Sequence, residues 1–276
     1  MITLEQLQAG IVIPIDKPRQ WTSFQAVNKI KAVVRNTYGL KKFKIGHAGT
    51  LDPLATGLLL VCIGKATKTI PQLQDGDKVY TGTMVLGATT PCYDLERPID
   101  QYYPYEHITL EMLNATVGHF VGEIEQVPPM FSAVKIDGQR AYEIARVENG
   151  ERRMENEEPR AKQVTIHSFE ITAFRKNQST QFTLNNQNTQ ITPTLPTSHL
   201  YQNPLGEVPP HLPQADFRIH CGKGTYIRSL ARDLGLALGS GAFLSDLRRE
   251  KVGPYTFDQA ITLDQVESFL KGSSYC

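Results

Sequence analysis

Four cysteines in 276 residues, Cys62, Cys92, Cys221 and Cys276, are too few and too scattered for a disulfide scaffold. They form neither a CxxC pair nor a Cys/His cluster with zinc spacing, so no metal is expected and they read as free thiols, mostly filling core. No window of about 18 uninterrupted apolar residues is present, which excludes a helical membrane span. The opening MITLEQLQAG lacks a basic stretch followed by an apolar one, so no secretory signal is read and the cytoplasm is the expected compartment. The most telling absence is of acid. Between Lys17 and His47 stand eight basic residues (Lys17, Arg19, Lys29, Lys31, Arg35, Lys41, Lys42, Lys44) and no Asp or Glu, although the whole chain carries a net charge of only +1. A solvated helix face normally mixes both signs, so this run points to a polyanionic partner.

What is present is ordinary for a globular protein, at 40% apolar and 21% charged residues, and the length fits one large body spanning 1–276. Residues 11–15, IVIPI, predict a short buried strand. Thr22 or Ser23 can cap a helix with Val27, Ile30 and Val34 on its apolar side and basic residues on the other. The run Leu58–Ile63, closed by Gly64, is too short for a helix and predicts a central strand. Residues 78–86 predict another, with Tyr80, Met84 and Leu86 on one face. Thr109 caps a helix to about Val117. Phe217, Ile219 and Cys221 alternate as a strand, and a helix follows with Ile227, Leu230, Ala231, Leu234 and Leu238 on one stripe and Arg228 in its first turn, off that stripe. Thr262 and Gln265 have capping-box spacing for a last helix. Without a regular βα period, the expected class is α+β, with a mixed, mainly antiparallel sheet flanked by helices. Two segments read as additions: a charged flap near 135–163, with seven basic and seven acidic residues, and a polar stretch at 177–214 whose one charge is Glu207 and which is expected to be a mobile loop.

One carboxylate stands apart. In GHAGTLDPLATGLLLVCIG (46–64), Asp52 lies between a glycine-containing turn and the apolar strand, bracketed by Gly49, Thr50, Leu51 and Pro53. Such a bracket combines φ freedom with stiffness and can hold an acid rigidly at a strand entrance, as a nucleophile or ion-stabilising group requires.

Around it, DKPRQWTSFQAVNKIK (16–31), KVYTGTMVLGATTPCYDLE (78–96), VPPMFSAVKIDGQRAYEIAR (127–146), CGKGTYIRSLARDLG (221–235) and LSDLRREKVGPY (244–255) follow in order. Together with 46–68, these motifs resemble the bacterial tRNA pseudouridine-55 synthase family of the TruB type, from about residue 10 to 270. The resemblance implies isomerisation of a flipped uridine in the T loop of tRNA, with the N-glycosidic bond broken and a bond to C5 made, and without metal or cofactor. It assigns Asp52 to the catalytic aspartate, which attacks or takes a proton from the nucleotide. Arg228 matches the arginine that keeps that acid ionised and oriented, and Tyr80 the tyrosine stacked on the flipped base. Leu247 matches the apolar residue across the base pocket, and His47 the histidine that contacts the T loop. Lys17 with Pro18 matches the first motif, as a residue of the binding site or a brace for the catalytic loop. Arg248 and Arg249 fit phosphate contacts, as do Lys41, Lys42 and Lys44 without motif support. The segment of about 127–164 corresponds to a thumb insertion that closes on RNA. Gln20 stands where the first motif usually has glycine, and Leu95 follows Asp94 where a glycine is usual. Many relatives carry a C-terminal RNA-binding PUA domain, for which no room is expected after Thr262, and a monomer is expected.

A tRNA-binding or tRNA-folding protein without catalysis would share this scaffold. Asp52, Tyr80 and Arg228 together favour the enzyme, because binding alone needs no carboxylate beside a polyanion. A small-molecule enzyme is disfavoured by the acid-free segment.

Overall fold

The computed structural model describes residues 1–130, 159–176 and 208–272, with the backbone of 135–136 and 139–140. Most of the expected thumb at 127–164 and of the polar segment at 177–214 lies outside the described residues, as does Cys276. The described end of the polar segment, 208–213, is a loop anchored to the core: Leu212 is fully buried in a cluster that includes Val85 and Phe243, Val208 packs against the same cluster, and Gln214 begins a strand. Two apolar side chains with a core socket outweigh the polar composition around them.

Among the described residues, nine strands form one sheet. In chain order they are β1 (Ile11–Lys17), β2 (Ile45–His47), β3 (Thr56–Ile63), β4 (Lys78–Leu86), β5 (Gly122–Gln126), β6 (Lys162–Arg175), β7 (Gln214–Cys221), β8 (Ala242–Val252) and β9 (Tyr255–Thr256). Their spatial order is β1-β3-β8-β4-β7-β6-β5, with β2 beside β3 and β9 beside β8. Within this sheet one pairing is parallel, β8 with β3 at Arg248↔Thr56 and Arg249↔Gly57, and the others are antiparallel. The fold is therefore α+β with a mixed, mainly antiparallel sheet. Gly57 makes the parallel contact possible. It takes φ 93°, and a Cβ there would lie 2.4 Å from the Arg249 carbonyl oxygen.

Among the described residues, six α-helices accompany the sheet: α1 (Leu4–Ala9), α2 (Ser23–Tyr38), α3 (Ile70–Asp75), α4 (Leu110–Gly118), α5 (Ile227–Ala237) and α6 (Val266–Lys271). Thr22 caps α2 with a full capping box to Gln25, Gly39 closes it in the left-handed conformation, and Ala26, Val27, Ile30 and Val34 face the core. Thr109 caps α4 through the Met112 amide. The α5 stripe buries Ile227, Leu230, Ala231 and Leu234, each of the large ones contributing about 1.5–3 kcal/mol. From Gly57 to Ile63 every residue of β3 is buried, as a strand covered on both faces requires.

Candidate active site

Asp52 sits at the entrance to β3 with its side chain 36% exposed, and α5 aims Arg228 at it. The Arg228 guanidinium, 5% exposed, donates from Nε to Oδ2 at 2.9 Å and from Nη2 to Oδ1 at 3.1 Å, a two-pronged pair. Nη1 donates to the Cys92 carbonyl at 3.0 Å, and Asp94 Oδ2 lies 3.7 Å from Nε. One buried arginine thus stands between two carboxylates. Burial works against its charge, but Asp52 and Asp94 outweigh that and hold Arg228 above the ordinary arginine value. Burial pushes the Asp94 carboxyl above its usual range, against the pull of Arg228. The sequence marks Asp94 only as one of two acids in the KVYTGTMVLGATTPCYDLE motif; its place beside Arg228 comes from the fold.

The loop carrying Asp52 is held from three sides. Ser23, buried at the start of α2, accepts from the Leu51 amide at 2.9 Å and donates to the Leu51 carbonyl at 3.2 Å. Nothing in the sequence distinguishes this serine from a capping residue. The Gln20 amide donates to the Pro53 carbonyl at 2.8 Å, and Gln20 has φ 68°. A glycine, expected at this position from the resemblance, would adopt that left-handed conformation freely, whereas it strains the glutamine. Lys17 is fully buried, and its ammonium donates to the carbonyls of Trp21 (2.6 Å), Pro18 (3.0 Å) and Pro53 (3.3 Å).

Of the two roles expected of Lys17, full burial and three carbonyl acceptors fit the brace for the catalytic loop and not a residue of the binding site. The role expected of Arg249 changes. Arg249 does not face phosphates: it is 1% exposed and donates to the carbonyls of Leu58 (2.8 Å), Gly49 (3.1 Å) and Thr50 (3.4 Å). On β8, Arg249 lies opposite Tyr80 and shares its inward face, and unmatched loop carbonyls draw the guanidinium in. Arg248 remains partly exposed, paired with Glu250 at 3.1 Å and stacked on Phe257 at 3.7 Å.

Leu247, 8% exposed, pairs with Gly82, so Leu247 and Tyr80 are diagonal neighbours on one face of β8 and β4. Tyr80 is 9% exposed; burial raises its hydroxyl pKa, with the Arg249 charge opposing. His47 lies on β2 opposite Val61. Its Nδ1 is buried with no well-formed hydrogen bond, and burial lowers the imidazole pKa, though the nearby Gly49 backbone pulls it up. Lys41, Lys42 and Lys44 are exposed. Lys42 and Lys44 line a cavity of about 270 Å³ with Lys65 and Lys68, and Asp52 does not border it. Cys62, Cys92 and Cys221 are buried free thiols.

Burial drives the Lys17 pKa down to about 8, against the pull of Asp52 and with the Arg249 charge adding to the drop. The unfolded value is 10.5. Between those two the unfolded chain binds the extra proton, so the penalty of keeping Lys17 charged is present at neutral pH and relieved as pH rises from about 8 to 10.5. Urea midpoints at pH 7 and pH 10 should therefore differ between the protein and Lys17→Met, the lysine protein gaining relative to the variant at the higher pH. Parallel curves would remove the charge from that site.

Residues 35–192 match the family model described as TruB family pseudouridylate synthase (N terminal domain), and residues 228–273 match the tRNA pseudouridylate synthase B C-terminal domain. The chain is 48% identical over 271 residues to tRNA pseudouridine synthase B of Flavobacterium johnsoniae, covering 98% of this chain and 100% of that protein. It is 41% identical over 261 residues to tRNA pseudouridine synthase B of Phocaeicola vulgatus, covering 95% and 93%. Among solved structures, a chain of a Cbf5-Nop10-Gar1 complex superposes with TM-score 0.59 at 28% identity. The match takes in 95% of this chain and 55% of that one, so the chain spans about half the length of that neighbour.

Proposed function

Because the chain belongs to the TruB family of pseudouridylate synthases, we propose that it isomerises uridine to pseudouridine in tRNA, at position 55 of the T loop, with Asp52 as the catalytic carboxylate. The observation that carries the reading is the Asp52–Arg228 pair: an acid at a strand entrance, open on one side and gripped by a buried guanidinium on the other. A guanidinium so placed favours the ionised acid in a fixed orientation, the state needed to attack the nucleotide or take its proton. The N1–C1′ bond breaks, the uracil turns, C5 bonds to C1′, N1 gains a proton and C5 loses one, so the product is an isomer. Tyr80 and Leu247 offer the apolar wall for the flipped base, and stacking on an aromatic ring contributes about 1–3 kcal/mol. Holding the loop rigid falls to Lys17, Ser23 and Arg249, which touch its backbone from beneath. His47 is the residue of this group proposed to meet the T loop.

The test is incubation with unmodified T-arm RNA, followed by chemical labelling specific for pseudouridine. Product at the uridine of position 55 is expected; tRNA binding without product would make the protein a folding factor.

For the RNA-facing surface, the exposed lysines around the 270 Å³ cavity are the phosphate contacts of choice. Reversing Lys42, Lys44 and Lys65 to Glu should weaken T-arm binding and flatten the dependence of log K on log[salt]. An unchanged slope would place the phosphate surface elsewhere.

A further inference from the structure

The turn before β4 and the strands β6 and β7 bring together three side chains that the reaction does not use: Asp77, His167 and His220. Asp77 Oδ1 lies 3.3 Å from His167 Nε2, and Oδ2 lies 3.8 Å from His220 Nε2. The two imidazoles are 4.6 Å apart between ring centres, inclined at 48°. One ligand atom from each of the three residues falls within 4.8 Å of the other two. We propose that Asp77, His167 and His220 form a binding site for a borderline divalent transition-metal ion of the Zn2+ class, which ties β6 and β7 to the entrance of β4.

The backbone prepares the cluster. β6 carries a bulge between Ile166 and Ser168, and His167 is the residue it leaves out of register. Bulges re-aim a side chain, and this one sets His167 beside His220 while Ile166 and Phe169 stay in the core. The Gly253 amide donates to the Asp77 carbonyl at 2.8 Å, and the Gly222 amide donates to the Thr165 carbonyl at 2.8 Å. The main chain on either side of the three ligands is thereby pinned. The side chains themselves remain partly exposed, at 37% for each histidine and 49% for the aspartate, so an ion can reach them and water can complete its shell.

The ligand set selects the ion. Two imidazole nitrogens and one carboxylate suit Zn2+, Ni2+ or Cu2+, whereas Mg2+ and Ca2+ prefer an all-oxygen shell. With bonds of about 2.0–2.1 Å, ligand atoms of a tetrahedral site stand roughly 3.3 Å apart. The aspartate–histidine separations are already near that spacing, and a small rotation of exposed side chains closes the rest. Neighbouring charges leave the carboxylate available: Lys78 turns its ammonium to the Gln74 carbonyl, and Lys223 pairs with Asp75 at 2.9 Å. No sequence motif announces the site, because its ligands come from three distant stretches.

The test uses tag-free, full-length protein stripped with EDTA and titrated with ZnCl2 by calorimetry, with the thermal midpoint as a second readout. One equivalent should bind saturably and raise the midpoint by several degrees. His167→Gln and His220→Gln should each weaken binding by more than about tenfold and abolish the midpoint rise, while CaCl2 and MgCl2 leave the midpoint unmoved. Asp77→Asn, which keeps the shape of the turn, serves as the third arm if a histidine variant folds poorly. No saturable binding tighter than about 100 μM, or affinity unchanged in all folded variants, would overturn the site. Pseudouridine formation plays no part in the readout, so failure here is separate from failure of the catalytic assignment.

Discussion

Asp52→Asn is expected to lower pseudouridine formation by at least about a thousandfold, roughly 4 kcal/mol of transition-state stabilisation, while T-arm affinity changes by no more than about tenfold. The amide keeps the size of the side chain, and its carbonyl oxygen can still accept one hydrogen bond from Arg228. What it loses is the charge and the nucleophilic or basic oxygen pair. The loop should survive the change, because its hold comes from main-chain contacts to Lys17, Ser23 and Arg249 rather than from the carboxylate. Arg228 also retains the Asp94 carboxylate and the Cys92 carbonyl, so it is not left buried without a partner. Binding is spread over many phosphates and depends little on one group. Rates from single-turnover assays on T-arm RNA, set beside binding curves at the same salt concentration, separate the two effects. An Asn variant that turns over at near the parent rate would remove Asp52 from the chemistry.

The elements that sequence periodicity revealed are those whose side chains meet one environment along their length. The α5 stripe, the α2 cap at Thr22 and the all-apolar β3 are of this kind, and each signal is local. β8 was not legible as a strand: Asp246, Arg248 and Glu250 face outward while Arg249 goes into the core, and a buried arginine in a strand looks like surface until its acceptors are known. Those acceptors are carbonyls of a loop roughly 200 residues away in the chain. The same reason hid the bracing role of Ser23 and the second acid at Arg228. Motif order brought Asp52 and Arg228 to notice, but only the packing of α5 against the sheet shows that one guanidinium serves Asp52, Asp94 and Cys92 together. Of the lysines in the acid-free run, those at 41, 42 and 44 are exposed while Lys17 is buried, and charge counting cannot separate them, because a buried ammonium with three carbonyl acceptors is indistinguishable in sequence from an exposed one.

That shared guanidinium makes Arg228→Lys the sharper probe of the network. A lysine conserves the charge but offers a single donor centre, so it cannot grip both Asp52 oxygens, reach the Cys92 carbonyl and neutralise Asp94 at once. Catalysis should fall by about a hundredfold or more. Stability should fall far less than in Arg228→Met, where two carboxylates face each other without a cation and a loss of about 3–5 kcal/mol is expected. The neighbouring acid supplies the second leg of a cycle. Asp94→Asn alone removes a charge that competes with Asp52 for the arginine, and leaves the Asp52 pair and the Cys92 bond intact. If Arg228 acts by orienting Asp52, Arg228→Lys should cost activity whether residue 94 is Asp or Asn, and its stability penalty should shrink in the Asn background because one buried carboxylate has gone. Measured as kcat/KM for T-arm RNA and as urea midpoints, the two quantities should separate. A lysine variant with unaltered kcat/KM would mean that charge alone suffices at this position and that the two-pronged geometry at 2.9 and 3.1 Å has no catalytic role.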